Sequence, residues 1–520
     1  MGDCLPPIVP DRLALSRTNT VFLDAGYNGS TMTTFPEGLI HTLREVSRVA
    51  ESARIACYLV GGLIRDQLLD RPLRYLNVDV AVPRDGVRLA HRIADQLHGA
   101  FVPLDDSLGC ARVVIAAATR IEVDISTFRG DSIDADLRLR DFTVNAIAVS
   151  LADWLRTPNR PGPLIDPLHG EVALRQRRLV PCFAGTFMDD PVRILRAARF
   201  AAQLEFSLDP DARPLMTAAV PALARVAGER VRDELLAIFE TDQAHPAIQL
   251  LNEVGVLDVL IPELTVGRGV EQGGYHHLDV LGHQIETIAQ GDRFLKDFAE
   301  FSEPLRQPMA AYCAQQVVER RSRKSLIKLS CLLHDIGKPS RRTVESDGEI
   351  WFLGHEETGA EYVPAITERL RLSNRESELV RLMVLHHLRP GFLSREPQLT
   401  RRAVYRFFKD LGDDGPSCLL TWWADRMATR GPQSRLDQLD QQRARLEELL
   451  NAYFFQSADV VKPPRLINGN ELMRALKIPS GPLVGELLQL IEEAQAEGRI
   501  HTAEEALALA GDRIRTGDAQ

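Results

Sequence analysis

The sequence predicts an α+β protein in which an α/β head precedes several helical segments. Short β-branched runs alternate with helical patterns from Pro36 to about Ser150, whereas helix-period apolar positions dominate from Asp189 onward. The 520 residues indicate three or four domains, because one domain usually holds roughly 150 residues. Hydrophobic residues make up 45% of the chain and charged residues 26%, which excludes disorder as the dominant state.

Composition also restricts the location of the protein and its partners. No apolar run reaches the ~18 residues of a membrane helix, and the first twenty residues lack a secretory pattern, so we expect neither a membrane span nor a signal peptide. Seven scattered cysteines, with no CxxC pair, favour reduced thiols in a cytoplasmic protein. The net charge of −10 argues against nonspecific coating of nucleic acid, but it permits a local basic groove for one RNA end.

Four segments follow from the pattern along the chain. The predicted strands of the head are Cys57–Val60, Val78–Val82, Arg112–Ala116 and Arg120–Ile125. The segments are a head (36–186), a helical neck (187–262), a histidine-rich helical block (276–450) and a helical C-terminal region (463–520). Several glycines and Pro262 between residues 261 and 275 indicate a linker.

A glycine-rich turn follows the first predicted strand. Gly61 and Gly62 separate an apolar run from an amphipathic helix that carries Arg65 in its first turn. Glycines let backbone N–H groups approach an anion closely, and a helix N-terminus adds partial positive charge. The turn therefore suits a phosphate, although a GG turn before a helix is too common to define a site alone.

Acidic side chains follow on neighbouring predicted strands. Residues 77 and 79 share one face of a strand because side chains alternate, and Asp124 lies on another strand. Clustered carboxylates beside a phosphate-binding turn are what two Mg²⁺ ions need in phosphoryl or nucleotidyl transfer. The alternative is that Asp79 and Asp124 simply end edge strands.

Two further motifs carry arginines. The stretch 138–148 contains Arg140, Asp141 and Asn145. In the stretch 187–200, Pro191 suits the first turn of a helix with Asp189 or Asp190 as N-cap. Three arginines follow there at helical spacing: Arg193, Arg196 and Arg199. A solvated face would explain any one of them better than all three.

In this order the motifs resemble those of the bacterial tRNA nucleotidyltransferase and poly(A) polymerase family, the CCA-adding enzymes with a polymerase-β-like head. The likeness covers roughly residues 57–240. The similar motifs are GGxxRD at 61–66, the strand with the acids, DPxxG at 166–170 and ERxRxEL at 229–235. This chain also reads LRDFTVNA at 139–146 and DDPVRILRAARF at 189–200, where the family patterns are RRDFTxNA and EDxxRxxRAxRF.

The resemblance implies a role for each matching residue. The triphosphate is expected to be held by Gly61, Gly62 and Arg65, and the ribose by Arg140, Asp141 and Asn145. Asp190 and Arg193 are expected to select CTP and ATP without a nucleic acid template, with Arg196 and Arg199 in the same nucleotide site. Mg²⁺ is expected at Asp79 and Asp124, with Asn77 beside them, and the acceptor is the tRNA 3′ end.

One position departs from the family pattern. The family strand reads Asp-x-Asp, whereas this chain reads Asn77-Val78-Asp79. Since an amide is a neutral and weaker ligand for a hard cation, the head is expected to be slowed, altered or inactive. Two alternatives therefore stay open: an RNA-binding or regulatory protein with an inactive head, and an enzyme that adds only part of CCA or poly(A).

The third segment resembles the HD phosphohydrolase superfamily. Its histidines and acids follow in the order H…HD…H…H…D on separate predicted helices: His283, His334, Asp335, His355, His386 and Asp425. The resemblance implies that they surround one or two divalent metals, and such ligands suit Mn²⁺, Ni²⁺ or Co²⁺ better than Mg²⁺. We expect His276, His277 and His387 to lie outside the ligand set.

Overall fold

The computed structural model describes residues 35–73, 76–105, 109–116, 120–160 and 162–517. It confirms the α+β class, with one large sheet near the start of the chain and helices after it. The strands of that sheet are β1 (Tyr58–Val60), β2 (Leu76–Val82), β3 (Ala100–Asp105), β4 (Cys110–Ile115), β5 (Ile121–Thr127) and β6 (Ala148–Ser150). The helices around it are α1 (Glu37–Ser52), α2 (Gly62–Leu68), α3 (Gly86–Leu97), α4 (Ile133–Arg138), α5 (Leu151–Arg156) and α6 (Gly170–Arg175).

The six strands follow the order β3-β4-β5-β2-β1-β6. The central strands β2 and β5 are parallel and the other neighbours are antiparallel. This register places Asp79 opposite Asp124, Arg112 opposite Asp124 on the next strand, and Asn77 opposite Glu122. Because side chains alternate along a strand, all five side chains lie on one face of the sheet.

The neck is mainly helical, and its short strand β8 (Ser207–Leu208) pairs in parallel with β7 (Arg178–Leu179) of the head. Its helices are α7 (Thr186–Asp189), α8 (Arg193–Leu204), α9 (Ala212–Ala219), α10 (Gly228–Phe239), α11 (Ala244–Glu253), α12 (Val256–Leu260) and α13 (Pro262–Thr265). The helix α8 buries Ile194, Leu195, Ala197 and Ala198, as its apolar spacing predicts. The predicted cap is wrong, because α8 begins after Val192 and neither Asp189 nor Asp190 caps it with a side chain.

The histidine-rich block contains two small hairpins among its helices. The hairpins are β9 (Gln316–Val318) with β10 (Arg321–Ser322), and β11 (Thr343–Val344) with β12 (Ile350–Trp351). The helices are α14 (Val280–Phe294), α15 (Glu303–Ala314), α16 (Arg323–Leu333), α17 (Lys338–Arg341), α18 (His355–Arg369), α19 (Asn374–His386), α20 (Arg389–Leu393), α21 (Arg401–Leu411), α22 (Gly415–Ala428) and α23 (Leu439–Phe455).

The C-terminal region has a hydrophobic core of its own. Its helices are α24 (Gly469–Leu476), α25 (Pro482–Ala496) and α26 (Ala503–Gly517). Their buried apolar side chains form a cluster between residues 467 and 514, separate from the main core that runs from Phe35 to Val461. Among the described helices, none is long and apolar enough to cross a membrane.

Candidate active sites

The glycine turn of the head lies directly against an acidic side chain. Gly61 has a φ of +72°, and a Cβ added there would stand 2.9 Å from Asp79 Oδ2. Glycine suits this position for both reasons, because other residues rarely adopt this φ and an added Cβ would require the carboxylate of Asp79 to shift. The structure thus brings the predicted phosphate-binding turn and Asp79 together.

Asp79 and Asp124 form a pair of neighbouring carboxylates. Burial, and then the charge of Asp124, raises the pKa of Asp79. Two close carboxylates repel each other unless a cation lies between them, so this pair suits a divalent metal. Asn77 Oδ1 is buried on the same face and has no hydrogen-bond partner among the described residues, and an amide oxygen is an acceptable Mg²⁺ ligand.

Arg112 completes this row of side chains and was not predicted. Its Nε lies 2.7 Å from Asp124 Oδ1 and its Nη2 lies 2.8 Å from Asp124 Oδ2, while its Nη1 lies 2.9 Å from Glu122 Oε2. The hydrogen bonds with Asp124 raise the pKa of Arg112. The signal was present in the sequence, because a hairpin register between the two predicted strands would have placed residues 112 and 124 side by side.

Four of the predicted nucleotide-site residues form one hydrogen-bonded chain. Arg65 Nη1 donates to Asn145 Oδ1 at 2.8 Å, and Asn145 Nδ2 donates to Asp141 Oδ1 at 3.2 Å. Arg196 Nε then donates to Asp141 Oδ2 at 2.9 Å. Although burial alone would raise it, Arg196 lowers the pKa of Asp141 to about 2. These side chains are therefore held in place before any ligand binds.

The aromatic ring of Phe200 gathers three of the arginines. The guanidinium carbons of Arg65, Arg196 and Arg199 lie 5.2, 5.3 and 4.1 Å from its centroid. Arg199 Nε also donates to Glu234 Oε2 at 2.5 Å, which links α8 to the ERxRxEL motif on α10. Arg140 is held differently, by an ion pair of 3.0 Å with Asp136.

Asp190 and Arg193 have different surroundings. Asp190 accepts a hydrogen bond of 2.7 Å from Arg230 on α10. Arg193 is only 4% exposed and donates to two backbone carbonyls, at 3.2 Å to Thr186 and 3.4 Å to Leu139. Burial lowers the pKa of Arg193. Arg193 is therefore packed into the interior, although its expected role in selecting the nucleotide calls for a side chain on a cleft.

The histidine-rich block brings two triads together around one carboxylate. His283, His334 and Asp335 have ligand atoms within 4.8 Å of one another, as do Asp335, His355 and His387. The Nε2 atoms of His334 and His355 lie 3.1 and 3.2 Å from different oxygens of Asp335. Asp335 can therefore bridge two ions.

Asp425 adds a second carboxylate to the first triad. His283 Nε2 lies 2.9 Å from its Oδ1. Although burial alone would lower it, Asp335, with help from Asp425, raises the pKa of His334 to about 10. The two carboxylates thus favour positive charge at His334.

The structure places His387, not His386, in this centre. Residue 386 is half-buried outside both triads, whereas His387 Nε2 lies 3.5 Å from Asp335 Oδ1. The reason is helical phase, since positions 380, 383 and 384 form the buried face of α19 and residue 387 continues it. The sequence contained this signal, because the apolar residues of α19 define that face.

The orientation of the histidines also fits metal ions. In three of them Nδ1 lies 2.7–2.8 Å from a backbone carbonyl three residues earlier: His334, His355 and His387. A carbonyl accepts a hydrogen bond, so Nδ1 carries a hydrogen, and Nε2 faces the cluster, where it can offer its lone pair to a metal ion. Lys338 Nζ lies 2.6 Å from Asp335 Oδ2, and the ring of His276 packs 4.5 Å from that of His283.

Known protein families match four parts of the chain. The Poly A polymerase head domain matches residues 57–180, and the HD domain matches residues 307–411. The RNA- and SrmB-binding region of polymerase A matches 205–267, and tRNA nucleotidyltransferase domain 2 matches 428–510.

Individual relatives are similar over most of the chain. An A-adding tRNA nucleotidyltransferase of Deinococcus radiodurans is 35% identical over 86% of this chain and 94% of its own length. A CC-adding tRNA nucleotidyltransferase of Thermus thermophilus is 33% identical, with coverages of 86% and 92%. A solved Thermotoga maritima CCA-adding enzyme complexed with tRNA has a TM-score of 0.58 at 21% identity, covering 92% of this chain and 96% of its own, and shares the fold.

Proposed function

Because the chain belongs to the family of tRNA nucleotidyltransferases and poly(A) polymerases, we propose that its head adds nucleotides from CTP or ATP to the 3′ end of tRNA. One observation carries this proposal: the carboxylate pair Asp79 and Asp124 lies directly against the Gly61 turn. A turn that accepts phosphates beside a pair that accepts cations is the arrangement nucleotidyl transfer needs.

Each group has a role in this proposal. Asp79 and Asp124 hold Mg²⁺, with Asn77 Oδ1 as a neutral third oxygen. When bound, the cation supplies charge stabilisation to the reacting phosphate. Arg65 binds the triphosphate, together with the turn of Gly61 and Gly62.

Nucleotide choice is assigned to the neck. The carboxylate of Asp190 accepts from the exocyclic amine of cytosine or adenine, and the guanidinium of Arg193 donates to a ring nitrogen once it leaves the backbone carbonyls of Thr186 and Leu139. Guanine and uracil present the opposite pattern and are refused. The ribose is oriented by Asp141, Asn145 and Arg140. The arrangement of these side chains is stabilised by Arg196 and Arg199.

The test is nucleotide addition to tRNA transcripts that lack the last three, two or one nucleotides of the 3′-terminal CCA. Each is incubated with Mg²⁺ and one labelled NTP, and the length of the product is read on a gel. We expect incorporation of CTP, ATP or both, and rejection of UTP and GTP. Absence of transfer from every NTP would contradict the proposal, and long adenosine tails would reassign the head as a poly(A) polymerase.

A second function is favoured by the histidine-rich block. Two triads sharing Asp335, with three Nε2 lone pairs directed inward, are suited to two divalent ions and hydrolysis of a phosphate ester. We assign Mn²⁺, Ni²⁺ or Co²⁺ to this centre, and 2′,3′-cyclic or 2′-phosphate RNA ends as its substrates. The regulatory alternative with an inactive head is not favoured, since the named relatives are nucleotidyltransferases.

The segment boundaries and the location complete the proposal. We retain the division into head (36–186), neck (187–262), HD block (276–450) and C-terminal region (463–520) as a working assignment. The predicted linker between 261 and 275 contains the short helix α13. The six described cysteines are free, consistent with a proposed cytoplasmic location, while Cys4 lies outside the described residues.

A further inference from the structure

Arg112 is shared between two carboxylates in the head. Its guanidinium makes a two-point contact with Asp124, at 2.7 and 2.8 Å, and reaches Glu122 at 2.9 Å. Asp124 is one of the two acids assigned to the cation. A guanidinium that neutralises this carboxylate lowers its attraction for Mg²⁺, so the division of Arg112 between its two partners affects the cation site.

Glu122 determines that division. Its side chain is only 2% exposed, and it contacts two further guanidiniums besides that of Arg112. Arg120 Nε lies 2.9 Å from its Oε1, and Arg320 bonds the same oxygen. Arg320 belongs to the HD block, in the turn between β9 and β10. The charge balance around Glu122 is therefore completed by another part of the chain.

We propose that Glu122 and Arg320 are positioning residues of the head, which act through Arg112 to set how strongly Asp124 attracts Mg²⁺. The inference rests on the proposed function of the head. Arg320 neutralises part of the negative charge of Glu122, so Arg112 remains paired with Asp124. This pairing lowers the affinity of the site for Mg²⁺. The β9–β10 hairpin of the HD block thus contributes to the nucleotidyl site without touching it.

The proposal predicts opposite effects for the two residues. Glu122→Gln removes the carboxylate that competes for Arg112, so Arg112 pairs with Asp124 alone. The Mg²⁺ concentration needed for half-maximal ATP binding should rise about tenfold, the smallest effect typical of changes next to metal ligands. Arg320→Gln removes a positive partner of Glu122, so Arg112 should move toward Glu122 and away from Asp124. The Mg²⁺ concentration needed for half-maximal ATP binding should then fall by about threefold or more. Arg320→Lys keeps the positive charge, so its Mg²⁺ dependence should stay close to that of the unsubstituted protein.

Two matched variants separate this mechanism from general electrostatics. Glu319→Gln removes the same charge as Glu122→Gln from the residue beside Arg320, but Glu319 is 67% exposed and is linked to Glu122 through Arg120 and not through Arg112. We expect little change from it. In an Arg112→Gln background, both Glu122→Gln and Arg320→Gln should lose their effects, because the group they act through is absent.

The experiment titrates Mg²⁺ against binding of a fluorescent ATP analogue to the full chain without tRNA, so the readout does not require turnover. The Mg²⁺ dependence of transfer to tRNA is measured in parallel, and thermal unfolding checks that each variant is folded. Shifts of equal sign in the two variants, an equal shift in Glu319→Gln, or shifts that persist without Arg112 would overturn the proposal.

The controls distinguish this inference from the proposed function. If the parent chain binds ATP and transfers nucleotides but the variants match it, only the positioning role fails. If the parent neither binds ATP nor transfers, both fail. Should Glu122→Gln not fold, the half-exposed Arg320 still gives the decisive comparison, through its Gln and Lys variants with and without Arg112.

Discussion

Asn77 is the residue at which the head departs from the Asp-x-Asp strand of its family. Its Oδ1 is buried without a partner among the described residues, on the same face as Asp79. We predict that Asn77→Asp raises the rate of transfer in Mg²⁺ by about 10–100-fold. Substitutions of residues that only contact the metal ligands already change metal sites by this factor. The rate is measured by single-nucleotide addition to trimmed tRNA.

Asn77→Ala is the matched control, because it removes the oxygen without adding charge. We expect it to slow transfer, and Asp79→Ala to abolish it. If Asn77→Asp gains nothing while the parent is fully active, Asp79 and Asp124 suffice, and the neutral oxygen is not limiting.

Nucleotide choice gives a second prediction at this scale. Asp190→Ala should relax the rejection of UTP and GTP, because the acceptor for the exocyclic amine is lost. Asp189→Ala removes the neighbouring carboxylate, which is 56% exposed and lies 3.3 Å from Arg193 Nη1, and should change selectivity less than Asp190→Ala does. Competition between labelled ATP and unlabelled UTP measures the difference, and equal selectivity in both variants would remove Asp190 from this role.

Arg193 should behave differently from Asp190. Its buried guanidinium donates to two backbone carbonyls, so Arg193→Ala leaves those acceptors unsatisfied. We predict a loss of about 1–3 kcal/mol in the free energy of unfolding in addition to lost selectivity. Urea unfolding of Arg193→Ala beside Asp190→Ala tests this, and equal midpoints would contradict the interior position of Arg193.

The ion pair of Asp141 and Arg196 makes stability depend on pH. The pKa of Asp141 is about 2 in the folded chain against 3.8 for the free side chain. A carboxyl with a lowered pKa contributes stability above 3.8, and this contribution is lost as the pH falls toward 2. Asp141→Asn should therefore cost on the order of 2 kcal/mol at pH 7 and weaken the acid dependence of unfolding.

Urea midpoints of the parent and of Asp141→Asn, recorded at pH 7 and pH 3, measure this effect. The difference between the two proteins should shrink at pH 3, because the parent carboxyl is partly losing its advantage there. A constant difference would show that the pair contributes through hydrogen bonds and not through charge.

At the scale of elements, the end of α19 gives a matched pair of adjacent histidines. His387 faces Asp335 and His355, whereas His386 lies outside the cluster. We predict that His387→Ala lowers bound Mn²⁺ and phosphohydrolase activity at least tenfold, while His386→Ala changes both by less than about twofold. Metal content by mass spectrometry and hydrolysis of a 2′,3′-cyclic nucleotide measure the two effects, and a larger loss in His386→Ala would restore the original assignment.

Elements with strong periodicity were predictable and those set by distant partners were not. The buried face of α8 and the strands carrying Asp79 and Asp124 follow from apolar spacing alone. The edge strand β3 was missed because Pro103 interrupts it and most of its residues are exposed. The cap of α8 was wrong because Asp190 pairs with Arg230, 40 residues later, which local spacing does not show.

At the scale of the whole molecule, the two centres should work separately. Asp79→Ala removes a proposed ligand of the head and His334→Ala a proposed ligand of the HD block, and the two residues belong to different clusters of polar side chains. We predict that Asp79→Ala abolishes nucleotide transfer but preserves hydrolysis with Mn²⁺, Ni²⁺ or Co²⁺, and that His334→Ala does the reverse. Both activities are assayed on the same preparations, and loss of both in either variant would show that the centres depend on each other.

The sequence predicted the order of the segments and most of the groups in each centre. Ordered motifs identify residues that are close to one another along the chain, such as Gly61 and Arg65. They do not identify Glu122, whose importance comes from its contact with Arg320, about 200 residues away. Long-range charge balance leaves no periodic signal, so it was accessible only from the fold.

The separate core of the C-terminal region affects how the sequence of this protein can diverge in evolution. Its buried residues share no cluster with the rest of the chain, so substitutions in the two cores should have additive energies. Ion pairs join the two regions, among them those of Glu493 of α25 with Arg402 and Arg406 of α21. Provided that this contact is kept, lineages can remodel the last helices without repacking either centre, so we expect divergence among relatives to concentrate there.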